Sequence, residues 1–243
     1  MVSNLRRLAF AAVIGSMSAV SLSAQSVDEV LAMHYEAIGG AEAWTNLRTM
    51  KAAGTLNVMG GMMEGPFTIV QERPDKARIE MTIQGMQIVQ AYDGQTAWQI
   101  MPMMGVTTPQ VADAATAQQI IEQADLDGPL IGWREAGHLV ELAGTETIDG
   151  AAATKLKVTF KTGEVTYYYL DADYLPIRMV AVRDIQGAQT ELTTVLDDYR
   201  AVGGLMFPYS IQIDTPVGQQ ALYFKTIEVN VDVDETVFSM PGR

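Results

Sequence analysis

Few residues in this chain are of types that do chemistry, and their spacing does not assemble them. There are two histidines, His34 and His138. His34 falls in a helix-periodic segment and suits a packing role. His138 opens an extended run with no neighbouring motif. Glu80 and Asp93 are the nearest approach to an acid–base pair. Glu80, however, lies on the polar side of an alternating segment, and Asp93 is accounted for by the Asp93-Gly94 turn. No H-E-x-x-H, G-x-S-x-G, P-loop or G-x-G-x-x-G occurs. The expectation is therefore no catalytic residue, no metal ligand and no cofactor.

The softest chemistry is in the methionines, 15 in all. Met59, Met62 and Met63 cluster, and thioethers are ligands that select Cu(I). No Cys or His lies beside them, so copper is the weaker reading. An unbranched thioether also adapts to irregular apolar shapes, which suits a surface that holds something greasy. Trp44, Trp98 and Trp133 read as core or rim packing.

The elements that must position these residues are mostly strands. Ser26-Val27-Asp28-Glu29 is a capping box opening a helix with Val27, Val30, Leu31, Tyr35 and Ile38 at helical spacing. Gly39-Gly40 ends it. A short helix is expected over Ala41–Leu47 and a longer one over Asp113–Ala124, with Ala117, Ile120, Ile121 and Ala124 on one side. In Ala77–Gln84, the cleanest strand, Ala77, Ile79, Met81 and Ile83 share one face and Arg78, Glu80, Thr82 and Gln84 the other. Similar alternation recurs to the end of the chain. The fold class expected is mainly β: a curved antiparallel sheet forming an incomplete half-barrel of about ten to eleven strands, with a few helices as plug or lid.

Residues 1–24 read as a cleaved secretory signal peptide, with Arg6 and Arg7 before the short apolar run Leu8–Ile14. That run is too short to span a bilayer, so residues 25–243 are expected as one domain in the periplasm, not membrane-spanning when mature. The chain has no Cys and a formal net charge of −13. It therefore has no disulfide framework and no cysteine to carry a lipid anchor. So acidic a chain is not expected to bind nucleic acid.

Three stretches carry a family resemblance. They are Phe67-Thr68-Ile69-Val70-Gln71-Glu72-Arg73-Pro74, then Arg78-Ile79-Glu80, then Tyr92-Asp93-Gly94-Gln95-Thr96-Ala97-Trp98. Together they resemble the bacterial outer-membrane lipoprotein-sorting proteins of the LolA/LolB kind. Tyr168-Tyr169-Leu170-Asp171, Leu175-Pro176-Ile177 and Gly204-Leu205-Met206-Phe207-Pro208 are similar to motifs of its broader relatives. The resemblance implies a half-barrel whose apolar cavity takes lipoprotein acyl chains, in the manner of the soluble carriers. It assigns Arg73 as the latch that holds the lid closed. A guanidinium suits that task, because its five donors can tie down several lid carbonyls. The family's aromatic four positions after that Arg is Ala77 here, which is expected to leave the cavity mouth open.

On these grounds the ligand-cavity residues are expected to be Ile79, Met81, Ile83, Met86, Ile88, Val158 and Phe160. Holding one chain of about 16 carbons takes contact worth roughly 10 kcal/mol at ~0.8 kcal/mol per buried CH₂, which a deep closable cavity can supply. The expected partners are lipoprotein acyl chains or another hydrophobic ligand. A sensor module that binds an envelope protein, or a small-molecule binder, are the alternatives on the same fold.

Overall fold

A computed structural model describes residues 25–185, 188–215 and 218–242. The expected signal peptide, residues 1–24, lies outside the described residues. The chain begins with α1 (Val27–Ala37) and α2 (Ala41–Thr45). The capping box closes α1 from both sides: Glu29 N donates to Ser26 Oγ at 3.2 Å and Ser26 N donates to Glu29 Oε2 at 2.7 Å. Six strands follow, β1 (Thr49–Val58), β2 (Met63–Glu72), β3 (Lys76–Ile83), β4 (Met86–Tyr92), β5 (Ala97–Met101) and β6 (Val106–Val111). Then come α3 (Ala114–Glu122) and a long connection to β7 (Leu139–Ile148). The chain continues through β8 (Ala151–Thr159), β9 (Val165–Leu170), β10 (Pro176–Ile185), β11 (Ala188–Val202), β12 (Leu205–Thr215) and β13 (Gly218–Val229).

All thirteen strands form one curved, open, antiparallel sheet in the order β6-β5-β4-β3-β2-β1-β13-β12-β11-β10-β9-β8-β7. This exceeds the ten to eleven expected. One strand that alternation did not suggest is β6, whose sequence Val106-Thr107-Thr108-Pro109-Gln110-Val111 carries a proline. It sits at a sheet edge, where a missing N–H need not cost a ladder bond. The topology explains where the lid comes from. β1 and β13 meet in the middle, so the chain runs out to one edge at β6 and must cross the sheet to start again at the other edge, β7. The crossing segment is α3 and residues 123–138, and it is laid over one face.

That inner face is covered in patches. Under α1, Val30 and Leu31 pack on Leu156, Val158 and Leu170, all at most 2% exposed. Leu47 and Leu126 pack on Ala52, Leu205 and Phe207. At β1–β4, Leu56, Phe67, Ile83 and Ile88 form a third patch. Of the residues expected to share one side of α3, Ile120 and Ala124 are buried, whereas Ile121 is 37% exposed and faces outward.

The opposite face is not simply solvated. Strand alternation sends Val89, Ala91 and Trp98 outward, where Met240 packs against them. Trp98 Nε1 donates to Phe238 O at 2.7 Å, and Arg78 Nη1 donates to Val237 O at 2.7 Å. The C-terminal segment is thus strapped across the back of β3–β5.

Candidate functional site

The inner face of the sheet is half filled and half hollow. Between β9–β12 and the roof lies a cavity of about 490 Å³. Its floor includes Tyr168 of β9, Met179 of β10, Leu196 and Tyr199 of β11, and Ile211 of β12. Its roof is His34 and Ile38 at the end of α1, Trp44 of α2, and the loop Asp125–Ile131. The volume lies within the roughly 300–1,000 Å³ usual for small-ligand pockets.

The roof is tied down by side chains that donate to carbonyls, in places where helix ends and loops leave carbonyls without intrahelical partners. Tyr35 Oη donates to Leu130 O at 2.7 Å, and Trp44 Nε1 donates to Ile38 O at 2.9 Å. Gln71 is 7% exposed and its Nε2 donates to Gln123 O at 2.5 Å, just past α3.

Arg73 makes the densest set. Its Nε donates to Leu47 O at 2.6 Å and its Nη2 to Trp44 O at 3.0 Å. Both terminal nitrogens also reach the Asp127 carboxylate, Nη1 to Oδ2 at 2.7 Å and Nη2 to Oδ1 at 2.5 Å. The bond to Asp127 pushes the guanidinium pKa further up, so the cation is held in its charged form. Trp44 and Asp127 are both cavity walls. One side chain at the end of β2 therefore joins two separate pieces of the roof.

The seven residues expected to line the cavity do not border this hollow. Ile83 and Ile88 are buried with Leu56 and Phe67, and Ile79, Met81 and Met86 lie half-buried on the same face of β3 and β4. That half is filled because large side chains meet across it; the Phe67 and Phe224 rings pack edge to face at 5.1 Å. Met81 borders only a separate recess of about 190 Å³. Val158 is fully buried under α1, and Phe160 packs its ring against His138 at 5.0 Å. Ala77 does not open the mouth: it is 1% exposed, opposite Gln71 on one side and Tyr92 on the other.

The groups considered for catalysis are otherwise engaged. Glu80 pairs with Arg78, whose Nε donates to Oε1 at 2.6 Å. Asp93 Oδ1 accepts from the backbone of Gln95 and Thr96 at 2.9 and 2.7 Å, which makes its turn. Among the described residues no cluster of three or more His, Asp or Glu could hold a metal ion. No described helix is long and apolar enough to cross a membrane.

Several cavity residues went unforeseen. Tyr168 could have been found, since in Tyr167-Tyr168-Tyr169 alternation sends the middle ring to the face of Leu156 and Met179. Asp127 could not, because its partner lies 54 positions away in the chain.

A curled, open antiparallel sheet with helices and a crossing loop over an apolar hollow defines an open half-barrel fold. Solved structures share this fold. A DUF1329 family protein from Desulfovibrio piger superposes with a TM-score of 0.61 at 11% identity, covering 89% of this chain and 98% of its own. A LolA superfamily protein from Nitrosomonas europaea gives 0.59 at 14% identity, over 89% and 98%. A domain from Vibrio parahaemolyticus assigned to outer membrane lipoprotein sorting gives 0.55 at 11%, over 87% and 95%. No family model and no curated protein matches the sequence.

Proposed function

We propose that the protein is a lipid-binding carrier of the bacterial periplasm, reached through the leader read over residues 1–24. An acyl chain, of a lipoprotein or of another lipidated cargo, enters the hollow between β9–β12 and the roof. Arg73 is the latch that closes the roof over it. Residues 25–243 act as one domain, and the chemistry is binding rather than catalysis.

One observation carries this reading: the cavity is walled by two roof segments, and the same guanidinium fastens both. A latch of that kind is reversible. Releasing Asp127 and two carbonyls loosens Trp44 and the 125–131 loop together, with the Trp44–Ile38 and Tyr35–Leu130 bonds as the remaining ties. With the roof lifted, the apolar patch of Ile79, Met81, Ile83, Met86 and Ile88 becomes the continuation of the ligand path towards β3–β4. Val158 and Phe160 then serve as the backing against which α1 rests. The likeness to LolA superfamily folds supports the reading.

The test is direct. The purified protein is analysed by native mass spectrometry and lipid extraction, then titrated with a fluorescent acyl probe. Met179→Trp, which fills the cavity, should abolish probe binding while the fold persists by circular dichroism. Loss of no binding in that variant, or no acyl affinity in the parent protein, would overturn the proposal.

A further inference from the structure

The cavity has a charge pattern as well as a shape. Among the described residues no Lys or Arg lies in its wall, while two carboxylates, Asp125 and Asp127, do. Arg73 neutralises Asp127 without itself joining the wall. Among the described residues no cation is bonded to Asp125; its Oδ1 accepts from Asp127 N at 2.9 Å. A carboxylate or phosphate drawn into this space would lose much of its water and meet Asp125, while the nearest guanidiniums are already paired, Arg73 with Asp127 and Arg183, which lies near the Tyr168 hydroxyl, with Glu164. Burying an unpaired charge in that way is strongly unfavourable.

Polar groups of another kind are present. His34 is 4% exposed, with Nδ1 3.0 Å from Tyr174 O. A carbonyl only accepts, so Nδ1 carries the proton and Nε2 of the neutral ring is left as an acceptor. Burial lowers the His34 pKa, which keeps the ring neutral. Tyr168 is 8% exposed, and burial raises its pKa far above the ordinary phenol value, so its O–H stays available as a donor. Among the described residues the Tyr168 hydroxyl has no hydrogen-bond partner, whereas that of Tyr199 already donates to Pro176 O at 2.6 Å. The rest of the floor is apolar, through Met179, Leu196 and Ile211.

Size narrows the ligand further. A volume of about 490 Å³ lies in the lower half of the roughly 300–1,000 Å³ usual for small-ligand pockets, which suits a lipid with one chain.

We infer that the cavity selects an uncharged single-chain lipid whose hydroxyl-bearing head meets His34 Nε2 and the Tyr168 hydroxyl, and that it rejects free fatty acids and phosphate-bearing heads. A hydroxyl suits both groups, since it can donate to the imidazole and accept from the phenol. The inference rests on the reading of this cavity as a lipid site.

Trp44 in the roof supplies a fluorescent reporter. The full protein is titrated at pH 7.5 with monopalmitoylglycerol and, separately, with palmitate, below their aggregation limits. The neutral lipid should bind at least about tenfold more tightly, since a site that hydrogen-bonds a head group rejects one that leaves it unpaired. Tyr168→Phe and His34→Phe should each bring the two ligands to within about threefold by weakening the neutral one. Asp125→Asn, at an exposed position, should strengthen palmitate binding by more than it changes binding of the neutral lipid; it keeps the test decisive if a core variant does not fold. Equal affinities in the parent protein, or no response to Asp125→Asn, would overturn the inference and leave the lipid site standing. Binding of neither ligand would overturn the lipid site itself.

Discussion

Arg73 grips Asp127 with two parallel hydrogen bonds, Nη1 to Oδ2 at 2.7 Å and Nη2 to Oδ1 at 2.5 Å. The two residues lie on opposite sides of β3–β6 in the chain, one ending β2 and the other in the loop after α3. Both side chains are about three-quarters buried, at 25% and 24% exposure. A bidentate guanidinium–carboxylate pair in that setting fixes direction as well as distance. The spare donors of Arg73 bring Leu47 and Trp44 into the same knot.

Replacing Arg73 by Lys keeps the charge and loses the fork. An ammonium has three donors on a flexible stem and cannot reproduce a planar pair plus two carbonyl contacts. The expected result is a loss of about 1.5–3 kcal/mol, the range for a hydrogen bond to a charged group. It should be confined to the roof. Hydrogen exchange should accelerate at residues 44–47 and 124–131 and stay slow in β1 and β13. Unchanged exchange in the roof would mean that Arg73 is no latch.

Acid should loosen the roof through His34. The ring is buried against the floor and burial lowers its pKa below the ordinary 6.5. The unfolded chain therefore binds the proton at a pH where the folded protein does not. By linkage this contribution to stability is complete above about pH 6.5 and declines as pH falls from there through the lowered folded value. Thermal melts at pH 7.5 and 5.5 should show a larger acid loss in the parent than in His34→Phe, which has nothing to protonate. Equal losses would place the acid sensitivity in other groups.

The turn after α1 should tolerate no side chain at Gly39. Its φ is +102°, and a Cβ built there lies 2.2 Å from Gly204 O. Next to it, Met206 N donates to Ile38 O at 3.0 Å, joining the end of α1 to β12. Gly39→Ala must strain the backbone and push the two segments apart, at a cost of about 1–3 kcal/mol. Gly40→Ala is the control: its φ is similarly positive, at +100°, but no atom lies within 4 Å of its Cβ. The difference between the two melting temperatures isolates the close approach from the backbone strain.

The strands and helix starts were legible in the sequence because the signals that set them are local. Ser26 and Glu29 sit three apart, Asp113 opens α3, and Ala77–Ile83 alternates without a break. Arg73 was legible through its Arg-Pro context, though Asp127 was not, since a pair spanning 54 positions leaves no periodic trace. The location of the hollow was harder still. Alternation tells which side chains point inward, and it did so for Met81 and Ile88. Whether inward side chains meet or leave space depends on ring sizes across several strands, such as Phe67 against Phe224. β6 was hidden by Pro109, which reads as a strand breaker until the strand is known to be an edge.

The two faces of β3 should answer differently to substitution. Met81 pairs with Phe67 and Ile88 and packs in the patch of Leu56 and Ile83. Met81→Asp places a carboxylate among these groups with no cation in the patch, and such a charge is neutralised or expels its strand. A loss of several kcal/mol is expected, in the range of about 3–5 kcal/mol seen when a charge is left unpaired. Glu80, one position away, points to the opposite face and pairs with Arg78. Glu80→Gln keeps a carbonyl oxygen to accept from Arg78, and Arg78 keeps its bond to Val237 O. Its cost should stay well below that of Met81→Asp, since the neutral amide still accepts from Arg78 and leaves no unpaired carboxylate. Urea unfolding of both variants reads the contrast, and equal midpoints would mean that the inner and outer faces of β3 have been exchanged.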